Sequence, residues 1–173
     1  MPESYPTFRA GQKVTGSLLT SMQPRTARKT ADSTYTSTTV ANDAELTLTV
    51  EANAVYEMNG IIFCNNTTSV SDIVIDWDAP SGSDGTWSGS GRATNVATGD
   101  VETEMKSAGT AITASRSFGT QDTGAGQSTV VQIAATLIVG STAGSYTAQF
   151  ALLNAGGTLT IYTDSFFTLR RIA

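Results

Sequence analysis

The chain is predicted to be all-β: an antiparallel, jelly-roll-like β-sandwich preceded by an extended N-terminal arm that carries one short helix. Three observations predict this. Thr is the commonest residue and Gly, Ala and Ser are abundant, while the helix formers Leu, Glu and Lys are sparse; that balance favours half-buried strands and tight turns. Short runs alternate apolar with polar side chains, the two-residue period of a strand with one buried face. Gly, Asn and Ser punctuate the runs at intervals too short for the crossover that parallel strands need. A length of 173 residues suits one domain with a real core.

The last third is the clearest part. Gln127 to Val139 is rich in β-branched residues and lacks Gly and Pro until Gly140. After the Gly140–Ser145 turn, Tyr146 to Leu153 returns with Tyr146, Ala148, Phe150 and Leu152 on one face. Asn154–Gly157 turns the chain again and Thr158 to Ile172 runs out as a final strand. Three consecutive strands on short turns predict a ladder of neighbours.

Taken from its beginning, the chain opens with Pro2 and Pro6, which disfavour regular structure. Thr15 is placed to cap a helix of about two turns whose apolar face is Leu18, Leu19 and Met22. So short a helix needs a packing partner. Pro24 ends it, and residues 23–29 form a polar, basic connector. Ser33 to Thr39 suits an edge strand. Leu46, Leu48 and Val50 alternate with Thr47 and Thr49. Ala54 to Cys64 is apolar on both faces near its end, as in a central strand buried on both sides. In Val70 to Asp78, Ile73, Ile75 and Trp77 point one way and Asp72, Val74, Asp76 and Asp78 the other. A loop through Pro80 and Gly85 leads to a short strand at Trp87, and Ala111 to Phe118 forms another. The total is about eight strands, divided between an arm at 1–30 and a body at 31–173.

Catalytic chemistry finds little to build on. The chain has no His, which removes the commonest general base and metal ligand. Cys64 is the only cysteine, at the end of an apolar run, where a buried inert thiol is expected. Asp76 and Asp78 share a strand face, but the aromatic between them points away, so a solvated face is favoured over a glycosidase pair. Asp72, Asp76, Asp78 and Asp84 offer hard oxygen ligands for Ca2+ without any recognised loop spacing. Trp77, Trp87, Tyr56, Tyr146 and Tyr162 offer stacking platforms for a glycan or, on the commoner reading, core filling. No cofactor is implied. No stretch approaches the roughly 20 apolar residues that span a bilayer, and no secretory leader is visible, so synthesis in a cytoplasm is expected.

Charge is unevenly placed. Residues 1–30 hold Arg9, Lys13, Arg25, Arg28 and Lys29 against Glu3, a net of +4, and the remaining 143 residues hold five basic and fourteen acidic side chains, a net of −9. A basic arm on an acidic body suits docking on an acidic surface, including a neighbouring copy. Nucleic acid is disfavoured, because phosphate repels the body.

Several segments carry a family resemblance. Phe8-Arg-Ala-Gly-Gln-Lys-Val-Thr-Gly-Ser-Leu-Leu19 resembles the opening of small structural proteins from tailed phages of actinobacteria, with Gly16 and Thr20 where Ala and Asn are usual. Arg28-Lys-Thr-Ala-Asp32, Asn53-Ala-Val-Tyr56, Asp76-Trp-Asp-Ala-Pro-Ser-Gly-Ser-Asp-Gly-Thr-Trp87 and Phe167-Thr-Leu-Arg-Arg-Ile-Ala173 continue the likeness along the chain. The resemblance implies a virion surface protein of capsid or tail, a homotrimer with a β-sandwich body. On that expectation residues 1–30 attach it to other virion proteins. Phe8, Val14, Leu18, Leu19 and Met22 then serve as apolar anchors and Arg9, Lys13, Arg25, Arg28 and Lys29 as charge contacts. A glycan-binding module that contacts a host surface is the alternative.

Overall fold

A computed structural model describes residues 10–11, 13–16, 23–68, 71–94, 109–120 and 129–173, with 104–106 described by backbone alone. Among these residues the chain forms thirteen strands. They are β1 Arg25–Arg28, β2 Ser33–Tyr35, β3 Ala41–Val50, β4 Val55–Asn66, β5 Ile73–Asp78, β6 Asp84–Arg92 and β7 Glu104–Lys106. After these come β8 Thr110–Ala111, β9 Arg116–Phe118, β10 Thr129–Ile138, β11 Gly144–Leu152, β12 Leu159–Ile161 and β13 Phe166–Arg171. Of the expected short helix capped at Thr15, Gly16 is helical and residues 17–22 lie outside the described residues.

The strands make two antiparallel sheets, as the sequence predicts. The larger runs β1-β13-β4-β10-β6-β7, with β12 and β2 continuing beside β4 and β8 beside β6; the smaller runs β3-β11-β5-β9. The topology is a rolled ribbon. β3 pairs β11, β4 pairs β10 and β5 pairs β9, nested about β6, and β13 closes back on β4. That nesting is the jelly-roll principle.

The ladder expected in the last third is not formed. β10 pairs β4 and β6, β11 pairs β3 and β5, and β12 and β13 return to the larger sheet. The links from β10 to β11 and from β11 to β12 therefore cross between sheets. A Gly/Ser-rich link over the sandwich edge and a hairpin turn have the same composition, so residue content alone does not separate them. The final strand is also divided: Asp164 takes a left-handed conformation (φ 69°) between β12 and β13. Ser165 then bonds across to β4, its Oγ accepting the Phe63 N–H at 3.0 Å.

β4 is the hub, ten residues in register with β10 and six with β13. Tyr56, Met58, Ile62 and Cys64 face the core, while Ile61 and Phe63 on the other side are only half-buried. The strand is central but not covered on both sides, contrary to its apolar run. Gly60 lets β13 approach, since a Cβ there would stand 2.8 Å from the Phe166 carbonyl oxygen and 2.9 Å from Phe167 Cβ.

The core joins the sheets through aromatic rings. Trp77 stacks on Tyr146 at 5.0 Å, both from the smaller sheet. Trp87 and Phe167 from the larger sheet meet Trp77 edge-on at 6.0 and 5.5 Å. Such pairs add about 0.5–1.5 kcal/mol beyond the area they bury. Cys64 is fully buried and burial, assisted by the Asp72 charge, pushes its thiol up to about 12. Native protein is accordingly expected to resist a thiol-alkylating reagent at pH 8 and to react once unfolded, as read by intact mass. Ready alkylation of the folded chain would contradict this burial.

Candidate functional site

The N-terminal segment enters the body earlier than its sequence suggests. Residues 25–28 are not a connector but β1, paired with β13 from Arg25↔Leu169 to Arg28↔Phe166. Ala27 faces the core at 5% exposure. β1 also lies beside β3, the edge of the smaller sheet. Side chains rather than a backbone ladder close that seam.

Arg25, Arg28 and Lys29, expected to reach a partner, all have ion-pair partners within the chain, Lys29 buried and Arg25 and Arg28 at the surface. Arg25 donates to the Thr49 carbonyl at 3.0 Å and to Glu51 at 2.9 Å, and Arg171 holds the other Glu51 oxygen at 2.7 Å. Arg28 pairs with Asp164. Lys29 is 1% exposed, with Nζ 2.8 Å from Asp43 and 3.4 Å from Glu45. These three cations leave only Arg9 and Lys13, against Glu3, in residues 1–24. The basic arm thus loses most of its charge, because sequence does not distinguish a cation paired at home from one kept for a neighbour. Lys13 and Val14 are exposed; Phe8, Arg9, Leu18, Leu19 and Met22 lie outside the described residues.

A bulge presents the anions. Thr47 faces Thr147 and Asn42 faces Gln149, so residues 43–46 stand opposite Ala148 alone. The irregularity turns Asp43 inward at the place where alternation from Leu46 would point it out. Asp43 accepts from Ser33 Oγ (2.8 Å), Tyr35 OH (2.9 Å) and the N–H groups of Glu45 (3.0 Å) and Leu46 (3.1 Å), besides Lys29. Burial pushes its carboxyl up, but the bonds from Lys29, Ser33, the Glu45 N–H and Tyr35 outweigh this and hold it below the usual value. Glu45 accepts from the Thr30 hydroxyl and from the N–H groups of Thr30 (3.0 Å) and Ala31 (3.3 Å). The cluster is a clasp across the seam, its cation and both carboxylates bonded to partners of the same chain.

The other candidate chemistry disperses. Asp72 is buried and accepts the Thr120 N–H at 3.0 Å, while Asp84 lies at the start of β6 in the other sheet. Asp76 and Asp78 share the outer face of the smaller sheet, where Asn42 donates to Asp78 at 3.2 Å. Burial raises the Asp76 carboxyl above its usual range, the Trp77 N–H opposing and the Asp78 charge adding. Among the described residues no three such side chains gather as a metal site. Trp77, Trp87, Tyr56 and Tyr146 are all core residues at 3% exposure or less, leaving Tyr162 half-buried as the one platform at the surface.

What the body does present is the outer face of its larger sheet. Register places Thr26, Thr168, Asn59, Ala134 and Ser88 in one row across β1, β13, β4, β10 and β6. Small Ala134 and Ser88, beside longer Glu57 and Asn59, leave an open trough of about 320 Å3. Toward one end lie half-buried Ile61, Phe63 and Phe166 with exposed Val130; toward the other, Val55 with exposed Ile138 and Ile172. Sequence reading missed this surface. Its signal was available in β10, where Val130 and Ile138 break the polar side of the alternation.

Fold and surface together define an antiparallel β-sandwich with a broad exposed sheet face. No family model and no curated protein matches the chain. It is similar to a chain of the infectious bursal disease virus Gx strain structure, at 11% identity and a TM-score of 0.25, over 87% of this chain and 40% of that one. The chain therefore spans less than half of that neighbour, and at this score the likeness carries no argument.

Proposed function

We propose that this chain is a non-enzymatic structural protein of a tailed-phage virion, a trimeric β-sandwich attached to capsid or tail through the residues that precede β1. The sequence resemblance to small structural proteins of actinobacterial phages supplies the context. The observation that carries the reading is the fate of the polar side chains. Lys29, Asp43, Asp72, Arg25 and Glu51 are engaged in holding the sandwich together, and the aromatic residues fill its core. What is left outward is surface, suited to binding and repetition. A glycan-binding reading gains no support from rings held in the core.

The attachment segment is 1–22 in this reading, since β1 and Lys29 belong to the body. Deleting residues 1–22 is expected to leave a cooperatively folding body that no longer decorates particles in a co-sedimentation assay. A truncated body that still decorates them would refute attachment through this segment. Several weak anchors multiplied over an oligomer suffice for tight docking.

A further inference from the structure

We propose that the outer face of the larger sheet is the surface through which the chain meets a second copy of itself. This rests on the self-association in the proposed function but not on its threefold symmetry, since like faces that meet pair two copies about a two-fold axis. Among the described residues the exposed large apolar side chains are Val14, Val130, Ile138 and Ile172. Val130 and Ile138 stand on this face, and Ile172 follows β13 at its corner, its N–H bonded to the Val55 carbonyl at 2.8 Å. By register Val130 lies opposite Phe63, Phe166 opposite Ile61, and Ile138 opposite Val55. The apolar residues thus form two contiguous groups at opposite ends of the face, with small polar residues between.

Charge favours a second copy as the occupant. The chain carries a net charge of −5, so copies repel across most of their surface. The outer face of the smaller sheet adds to that repulsion with Asp76 and Asp78. On β1, β13, β4 and β10, by contrast, each charged side chain facing outward is neutralised within the same copy: Arg170 with Glu57, and Arg28 with Asp164. β10 itself has no charged residue. A copy brought against these four strands meets apolar and neutral polar groups and the two internal ion pairs, with Asp84 of β6 exposed opposite Ile138 at one corner.

Size agrees. Eight residue steps from Val130 to Ile138 give roughly 27 Å, and five strands at their usual spacing give roughly 24 Å. A plane of roughly 650 Å2 per copy is close to the ~800 Å2 per partner of a standard interface. The trough over Ala134 can receive side chains of the facing copy.

Sedimentation velocity of the full chain over a range of concentrations tests this, with Val130→Asp, Ile138→Asp, Ile172→Asp and, as control on the smaller sheet, Thr49→Asp. All four positions are exposed, so unchanged circular dichroism is expected. The wild type and the control should form the same oligomer, and each of the three aspartates should raise its dissociation constant at least tenfold. An oligomer that withstands all three overturns this surface and leaves self-association standing. A wild type that stays monomeric throughout overturns both.

Discussion

Replacing Lys29 with Ala lowers the stability of the sandwich by about 3–5 kcal/mol, the range for breaking a buried ion pair by removing one partner. Asp43 then keeps its charge in a site closed to water, with its strongest neutralising partner gone. Asp43→Ala should cost at least as much, because it leaves the ammonium with Glu45 alone and strands the Ser33, Tyr35, Glu45 and Leu46 donors. At about 2–4 °C per kcal/mol for a chain of this size, either change lowers the melting temperature by roughly 6–20 °C. Urea midpoints should fall with little change in slope. The pair Lys29→Met with Asp43→Leu should recover only part of the loss, because it removes the stranded charge but leaves the Ser33 and Tyr35 hydroxyls and the Glu45 and Leu46 N–H groups without their acceptor. Single variants that lose under 1 kcal/mol would show that water reaches the clasp. Acid acts on the same group. The folded pKa of Asp43 lies below its unfolded value, so its contribution is present above the unfolded pKa near 4 and is lost as pH falls through the folded one. Wild type should therefore lose stability on acidification from pH 5 more steeply than the Lys29→Met, Asp43→Leu double variant.

Trp87→Ala is expected to cost about 3–5 kcal/mol, the usual range for truncating a fully buried ring. Trp87 has no exposure, touches Trp77 and Phe118, and donates its indole N–H to the Ala114 carbonyl at 2.8 Å. Truncation leaves a cavity between the sheets and a carbonyl without its donor. Packing is tight on the same side: a Cβ at Gly89 would stand 2.4 Å from the Phe118 ring. Relaxation into the cavity is correspondingly limited. Trp87→Phe keeps much of the volume and should lose clearly less. Equal losses for Ala and Phe would assign the effect to the hydrogen bond instead of the cavity.

Sequence alone conveyed the sandwich and much of its inner face. Leu46, Val50, Ile73, Ile75, Trp77, Tyr146, Ala148, Phe150 and Leu152 alternate as written and are buried as written. Alternation is a local property, so it survives whichever strand lies alongside. Partner choice is not local. The turn at Gly140–Ser145 has the same composition whether it folds β11 back on β10 or carries it to the opposite sheet, and the structure takes the second course. Residues 25–29 were illegible for a related reason. Ala27 is the lone small apolar residue facing inward in β1, and Lys29 is buried only because the bulge in β3 delivers Asp43 to it. Nothing near residue 29 in the sequence announces a carboxylate fourteen positions away. The exposed sheet face was overlooked because Val130 and Ile138 sit inside a run that reads as core, although both fall on its outward side.

The pairing of β1 with β13 has a consequence for how the molecule comes into being. Arg25 must wait for Leu169, and Thr47 for Thr147, before either rung can form. A nascent chain leaving the ribosome can pair β6 with β7 early, but the outer rungs close the longest loops and form last. Loop closure of that length costs entropy before any contact repays it, which makes such topologies slow to fold. Until synthesis has passed β11 for β3 and β13 for β4, an edge of each stands open, and crowded copies of the same sequence can pair there with the wrong chain. Yield in expression should then depend on temperature and synthesis rate more than on the stability of the finished sandwich.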